Sequence, residues 1–300
     1  MSEKLPLYGG QAVIEGVMMR GTQSVAIAMR APDDEIVIHN EPLGSLYRSK
    51  VIKIPFLRGV IALWDALGLG IRALTISANL QTGDDEKLEG PALYLTLAIS
   101  LAFGIGLFFL LPALVGQLSE NYLGISNWWS NLLEGLVRLA LLVGYIWIIG
   151  LTPDIKRVFS YHGAEHKTIN AFEAGDELTP ENVSTHSLEH PRCGTAFLLT
   201  LVLLSVLFFS FLGPLPLGWR LLSRIIMIPV LAGVAYEYIR WTANHLDSKF
   251  VRIIIKPNLA LQHLTTREPS LDMLEVSIAA FNSMRWHEEA KIAADVPIRV

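Results

Sequence analysis

Four apolar runs, at roughly 91–116, 131–152, 195–217 and 220–241, constrain this chain more than any other feature. Each approaches or exceeds the ~20 residues that an α-helix needs to cross a bilayer. Composition agrees: 52% of residues are apolar and 17% charged, where a soluble domain carries about 25% charged. A formal net charge of −4 offers no clustered basic face, so no nucleic acid partner is expected. The opening stretch MSEKLPLYGGQAVIEGV lacks the basic-then-apolar order of a cleavable signal, so the spans are expected to be internal and retained.

Charge placement predicts an orientation. The connection QLSENYLGISNWWSN between the first two spans has no Lys or Arg, and its Tyr122, Trp128 and Trp129 suit an interfacial aromatic belt. Residues 1–90 carry nine Lys/Arg, the loop 153–194 carries Lys156, Arg157, Lys167 and Arg192, and the tail after Trp241 carries seven more. Positive-inside counting therefore puts both termini and the 153–194 loop in the cytoplasm.

The expected fold class is an α-helical polytopic membrane protein with about four transmembrane helices. Residues 1–55 read as a small β-rich cytoplasmic segment: SVAIAMR and EIVIHN have strand character and Pro32-Asp33-Asp34 turn chemistry. Residues 56–80 read as an interfacial amphipathic helix. Arg58, Asp65, Arg72 and Asn79 recur every seven residues, and burying three charges in a span would cost about 2.5–3.5 kcal/mol each. Two spans (91–152) lead to the motif loop (153–194), two more (195–241) to a cytoplasmic helical tail (242–300). In that tail Leu271, Leu274, Ile278 and Phe281 share one helix face.

The chemistry concentrates in the loop. Four of the eight histidines fall within residues 162–190, and the single cysteine, Cys193, follows at once. HGAEH, 162–166, places His162 and His166 one helical turn apart on one face, where both can grip a metal ion, with Glu165 beside them as a candidate base. HSLEH, 186–190, repeats the spacing, but Pro191 follows, so a shared helical face is not required there. His190 is taken as a ligand and His186 is not. Cys193 precedes the third span, where a helix N-terminus favours thiolate. Glu237, inside the fourth span near its cytoplasmic end, is either a further ligand or the i,i+3 partner of Arg240. Glu134 and Arg138 read as a structural i,i+4 pair, and Asn170 and Glu173 as solvated. Few buried charges are visible, so no ion path is expected.

HGAEHK (162–167) and HPRCGTAF (190–197), together with GGQAVIEGVMMRG (9–21) and LQHLTTREP (261–269), resemble the YqhQ-like bacterial membrane proteins across nearly the whole chain. The resemblance implies a bacterial cytoplasmic (inner) membrane protein, predicted to be metal-dependent, with no assigned substrate. Carried over, its motifs match His162, Glu165, His166, His190, Cys193 and Glu237; His186 lies outside them. GGQAVIEGVMMRG reads either as a glycine-rich turn network or as a loop over the cytoplasmic mouth that contacts a headgroup.

The leading expectation is a membrane metalloenzyme. His162 and His166, with one or two of His190, Cys193 and Glu237, hold a divalent metal, zinc or a similar ion. Glu165 then serves metal-assisted hydrolysis of a membrane peptide or lipid-linked substrate at the cytoplasmic face. Two alternatives stand beside it. One is a scaffold or assembly factor with a closed zinc site of His162, His166, His190 and Cys193. The other is a thiol enzyme with Cys193 as nucleophile.

Overall fold

A computed structural model describes residues 8–44, 54–82, 90–212 and 215–295. The β-rich expectation is met by one antiparallel sheet of β1 (Gly9–Val13), β2 (Gly16–Arg20), β3 (Ser24–Arg30) and β4 (Ile36–Pro42), in that spatial order. The period-2 alternation of a strand explains why its central part is apolar on both faces. Val17, Met19, Ala26 and Ala28 face one hydrophobic cluster, while Met18, Val25, Ile27 and Met29 face another. GGQAVIEGVMMRG is neither a loop nor a loose turn network, because it forms the β1–β2 hairpin. Gly16 is required there: a Cβ would sit 2.2 Å from the Ala28 carbonyl oxygen.

The first cluster is closed by α5 (Pro153–Ala174) and α11 (Leu271–Asp295) through Tyr161, Ile169, Met273, Val276 and Phe281. Leu274 and Ile278 are buried as expected, but Leu271 is 48% exposed and does not join that face. The second cluster is closed by α1 (Leu57–Thr82) through Ala73, with Leu69, Ile76 and Leu80 against it.

Among the described residues, four helices are long and apolar enough to cross a membrane: Leu57–Thr82, Gly90–Leu123, Asn127–Ile149 and Leu217–Ala243. The apolar helix Gly194–Ser210 is shorter, at 17 residues. We label these α1; α2 (Gly90–Ile105) continuing through a π-helical turn, Gly106–Leu110, into α3 (Leu111–Leu123); α4 (Asn127–Ile149); α7 (Gly194–Ser210); and α8 (Leu217–Ala243). Short helices α6 (Pro180–Ser184), α9 (Lys249–Ile254) and α10 (Lys256–Thr265) complete the described elements.

The helical bundle is more charged inside than the sequence suggested. Glu134 and Arg138 pair at 2.8 Å as expected, yet Arg224 also donates to both Glu134 oxygens at 2.9–3.0 Å. Arg220 lies 3.4 Å from the same carboxylate and donates to Glu120, Ser130 and Asn131. Arg138 Nε donates to the Phe108 carbonyl inside the π-helical turn, 3.0 Å away. The network ties α3, α4 and α8 together.

Candidate metal centre

The site is built on α5. Pro153 occupies its first turn, where a missing N–H costs nothing, and Gly175 ends it at φ +84°. His162 and His166 lie on one face with ring centroids 4.4 Å apart. Each ring is oriented from behind by a backbone carbonyl: His162 Nδ1 meets Thr265 O at 2.8 Å and His166 Nδ1 meets Leu188 O at 2.5 Å. A carbonyl only accepts, so each Nδ1 carries the proton and each Nε2 offers its lone pair. This is how metal-ligating histidines are commonly held.

Those lone pairs have different neighbours. His162 Nε2 lies 3.2 Å from Cys193 Sγ. His166 Nε2 is buried and has no hydrogen-bond partner. Cys193 is the N-cap of α7, its sulfur also receiving the Thr195 backbone N–H at 3.4 Å. One ligating atom from each of His162, His166 and Cys193 lies within 4.8 Å of the others. The donor set fits a metal of the zinc type: two imidazole nitrogens, one thiol sulfur, and a buried lone pair with no other use.

The arrangement depends on the loop 184–193 being pinned to α5. Lys167 Nζ donates to the Ser184 and His186 carbonyls at 2.6 and 2.8 Å. Asn170 donates to the Ser187 and Glu189 carbonyls at 2.9 and 3.0 Å. Gln262 on α10 takes the His190 N–H and returns a bond to its carbonyl. Gly163 lets the 265–267 segment approach, since a Cβ would lie 2.2 Å from the Arg267 carbonyl oxygen. Asn170 and Glu173, expected to be solvated, are instead loop anchors, Glu173 through an ion pair with Arg192. Gln262 carries no local signal of this role, because it pairs with the His190 backbone 72 residues away, although it lies within the LQHLTTREP motif.

Three expected site residues stand apart from the triad. His190 is buried beside His166, with ring centroids 5.5 Å apart, but its Nε2 receives a hydrogen bond from Arg192 at 3.3 Å. Burial, then Arg192, His166 and His162, hold its pKa well below the usual histidine range. Glu165 is buried with its carboxyl packed against the backbone of Gly10. Burial pushes its carboxyl up to about 7, opposed by His162 and the Gly10 backbone. Glu237 is elsewhere: it accepts from Arg58 Nε at 2.6 Å and from the Phe56 N–H at 3.1 Å. Neither the metal role nor the Arg240 pairing describes its contacts. His186 pairs with Asp176 at 2.9 Å. The polar residues of the hairpin are engaged too: Glu15 pairs with Arg157, Arg20 with Asp65, and Gln11 packs on Gly70.

Fold and site together define a class: a mostly helical protein with a small N-terminal antiparallel sheet, four helices apolar enough to cross a membrane, and a buried His/Cys cluster. The chain belongs to the family described as protein of unknown function DUF1385, whose model matches residues 54–286. It is 36% identical over 294 residues to the "uncharacterized protein YqhQ" of Bacillus subtilis (strain 168), covering 93% of this chain and 92% of that protein. No solved structure matches it.

Proposed function

We propose that the protein is a metal-dependent membrane hydrolase, with His162, His166 and Cys193 holding a zinc-type ion at the cytoplasmic face of a bacterial membrane. The observation that carries this is the buried, unpartnered Nε2 of His166, which shares a 4.8 Å neighbourhood with ligating atoms of His162 and Cys193. Leaving such an acceptor unmade costs about 1–3 kcal/mol. Three protein ligands leave one position open, as in catalytic rather than structural zinc sites. When bound, the ion supplies Lewis acidity at that position.

Glu165 is the proton acceptor in this reading. Its carboxyl, raised to about 7 by burial, suits exchange of a proton near neutral pH. The Gly10 backbone packs against it, which gives the hairpin a role behind the site. The substrate class is an amide or ester of a membrane peptide or lipid-linked molecule, because Cys193 starts an apolar helix. The cytoplasmic assignment rests on the Lys/Arg bias of residues 1–90, 153–194 and the tail.

The closed structural-zinc reading needs His190 as fourth ligand, and the Arg192 hydrogen bond to its Nε2 disfavours that. The thiol-enzyme reading has one specific support, the 3.2 Å contact of Cys193 Sγ with His162 Nε2. Glu165→Gln separates the readings. With metal retained and hydrolysis of lipid-linked or peptide esters lost, the metal-hydrolase reading stands. Unchanged hydrolysis in that variant removes Glu165 from the chemistry and favours the thiol.

A further inference from the structure

We propose that α1 does not cross the membrane but lies in its plane, apolar face in the lipid, on the same side as the sheet and the His/Cys cluster. By length and hydropathy alone α1 qualifies as a span and α7 falls short. Contacts reverse that ranking through a parity argument.

The sheet packs on α5 through Val17, Met19, Tyr161 and Ile169, so both are on one side of the membrane. Two crossings, by Gly90–Leu123 and by α4, lie between the start of α2 and the start of α5. Two crossings restore the side, so Gly90 is on the side of α5 and hence of the sheet. The sheet precedes α1 and Gly90 follows it. An odd crossing by α1 would put them on opposite sides.

The same reasoning makes α7 a span. Cys193, before α7, touches His162 of α5, while α11, after α8, packs on that same α5 and on the sheet. The crossings by α7 and α8 must therefore be even in number, and α8, at 27 residues, is one of them. Seventeen helical residues rise roughly 26 Å, within the mismatch a bilayer core of about 30 Å tolerates.

The side chains of α1 divide accordingly. Three residues of its seven-residue polar stripe pair with the rest of the protein: Arg58 with Glu237, Asp65 with Arg20 at 3.5 Å, and Arg72, itself exposed, with Glu41 at 2.9 Å. Gly59 abuts Gly233 and Tyr236 in the C-terminal half of α8, while Ser77 receives the Ile14 N–H. On another face Trp64, Leu67, Ile71 and Leu74 are 77%, 54%, 40% and 39% exposed. They recur at spacings of three and four, one continuous apolar stripe. A helix pinned at one end to the C-terminal half of α8 and along its second half to the sheet has this stripe left for the bilayer. In-plane helices of this kind bury their apolar face about 5–10 Å into the headgroup boundary.

The test uses full-length protein in sealed vesicles of both orientations, with a membrane-impermeant maleimide. The reporters are Val37→Cys on β4, Thr82→Cys at the end of α1 and Tyr122→Cys in the α3–α4 connection, all exposed positions. Wild type, whose Cys193 is 6% exposed, gives the blank. The expected result is that Val37→Cys and Thr82→Cys label from one face and Tyr122→Cys from the other. Labelling of Val37→Cys and Thr82→Cys from opposite faces overturns the proposal, as does Tyr122→Cys sharing the Val37→Cys face. A nitroxide at Leu67→Cys should show shallow bilayer depth; a bilayer-centre or fully aqueous position contradicts it.

Discussion

Two buried polar constellations in this molecule are built to opposite standards. In the bundle, Glu134, Arg138, Arg220 and Arg224 have every side-chain nitrogen and oxygen partnered, and Arg224 also stacks 4.3 Å over the Phe209 ring. In the His/Cys site, the Nε2 of His166 and the Nε of Arg192 are two of the four buried polar side-chain atoms without a partner among the described residues. A satisfied network stiffens and specifies a fold, whereas a buried unsatisfied atom calls for an explanation such as strain, a water, an ion or a catalytic role. The bundle network is therefore read as structure and the His/Cys cluster as the candidate site of the proposed function.

That contrast can be broken by mutation, and the largest effect belongs to the bundle. Glu134→Ala leaves three buried guanidiniums around a missing carboxylate, and stripping one partner from such a pair costs about 3–5 kcal/mol. Folded yield and thermal stability in detergent should collapse in that variant, with or without zinc. At the other site the sign of the metal effect is the informative quantity. Zinc at about 100 times its Kd should stabilise wild type by about 2.7 kcal/mol, read as a rise in Tm, and His166→Ala should abolish the rise. If zinc raises the Tm of both proteins equally, the orphaned nitrogen is not a ligand.

How much of this was visible in the sequence follows from separation along the chain. HGAEH sits on one helix, so its i,i+4 geometry was legible, and the strands SVAIAMR and EIVIHN carried their own propensity. The seven-residue stripe of α1 was legible as a polar face, but its partners Glu237, Arg20 and Glu41 were not. Glu134–Arg138 was read as an isolated pair because Arg224 is 90 residues away. The hydrogen bond from Arg192 to His190 Nε2 is a side-chain rotamer choice that residue spacing alone does not show. The pairing of Glu237 was hidden by distance, its partner Arg58 being 179 residues away.

The smallest effect sharpens that last correction. Arg58 and Glu237 are partly exposed, 16% and 21% at the side chain, and such pairs contribute about 0–1 kcal/mol. Glu237→Gln should shift Tm by no more than that and leave metal uptake unchanged. Loss of metal in this variant would return Glu237 to the ligand set and undo the geometric separation.

The most direct test of the central claim is metal content per protomer. It is measured by elemental mass spectrometry on detergent-purified wild type and on His162→Ala/His166→Ala, prepared without chelators and supplied with zinc. Near-stoichiometric metal in wild type and its loss in the double variant is the expected result. Wild type that takes up no metal, or a double variant that retains it, would contradict the account.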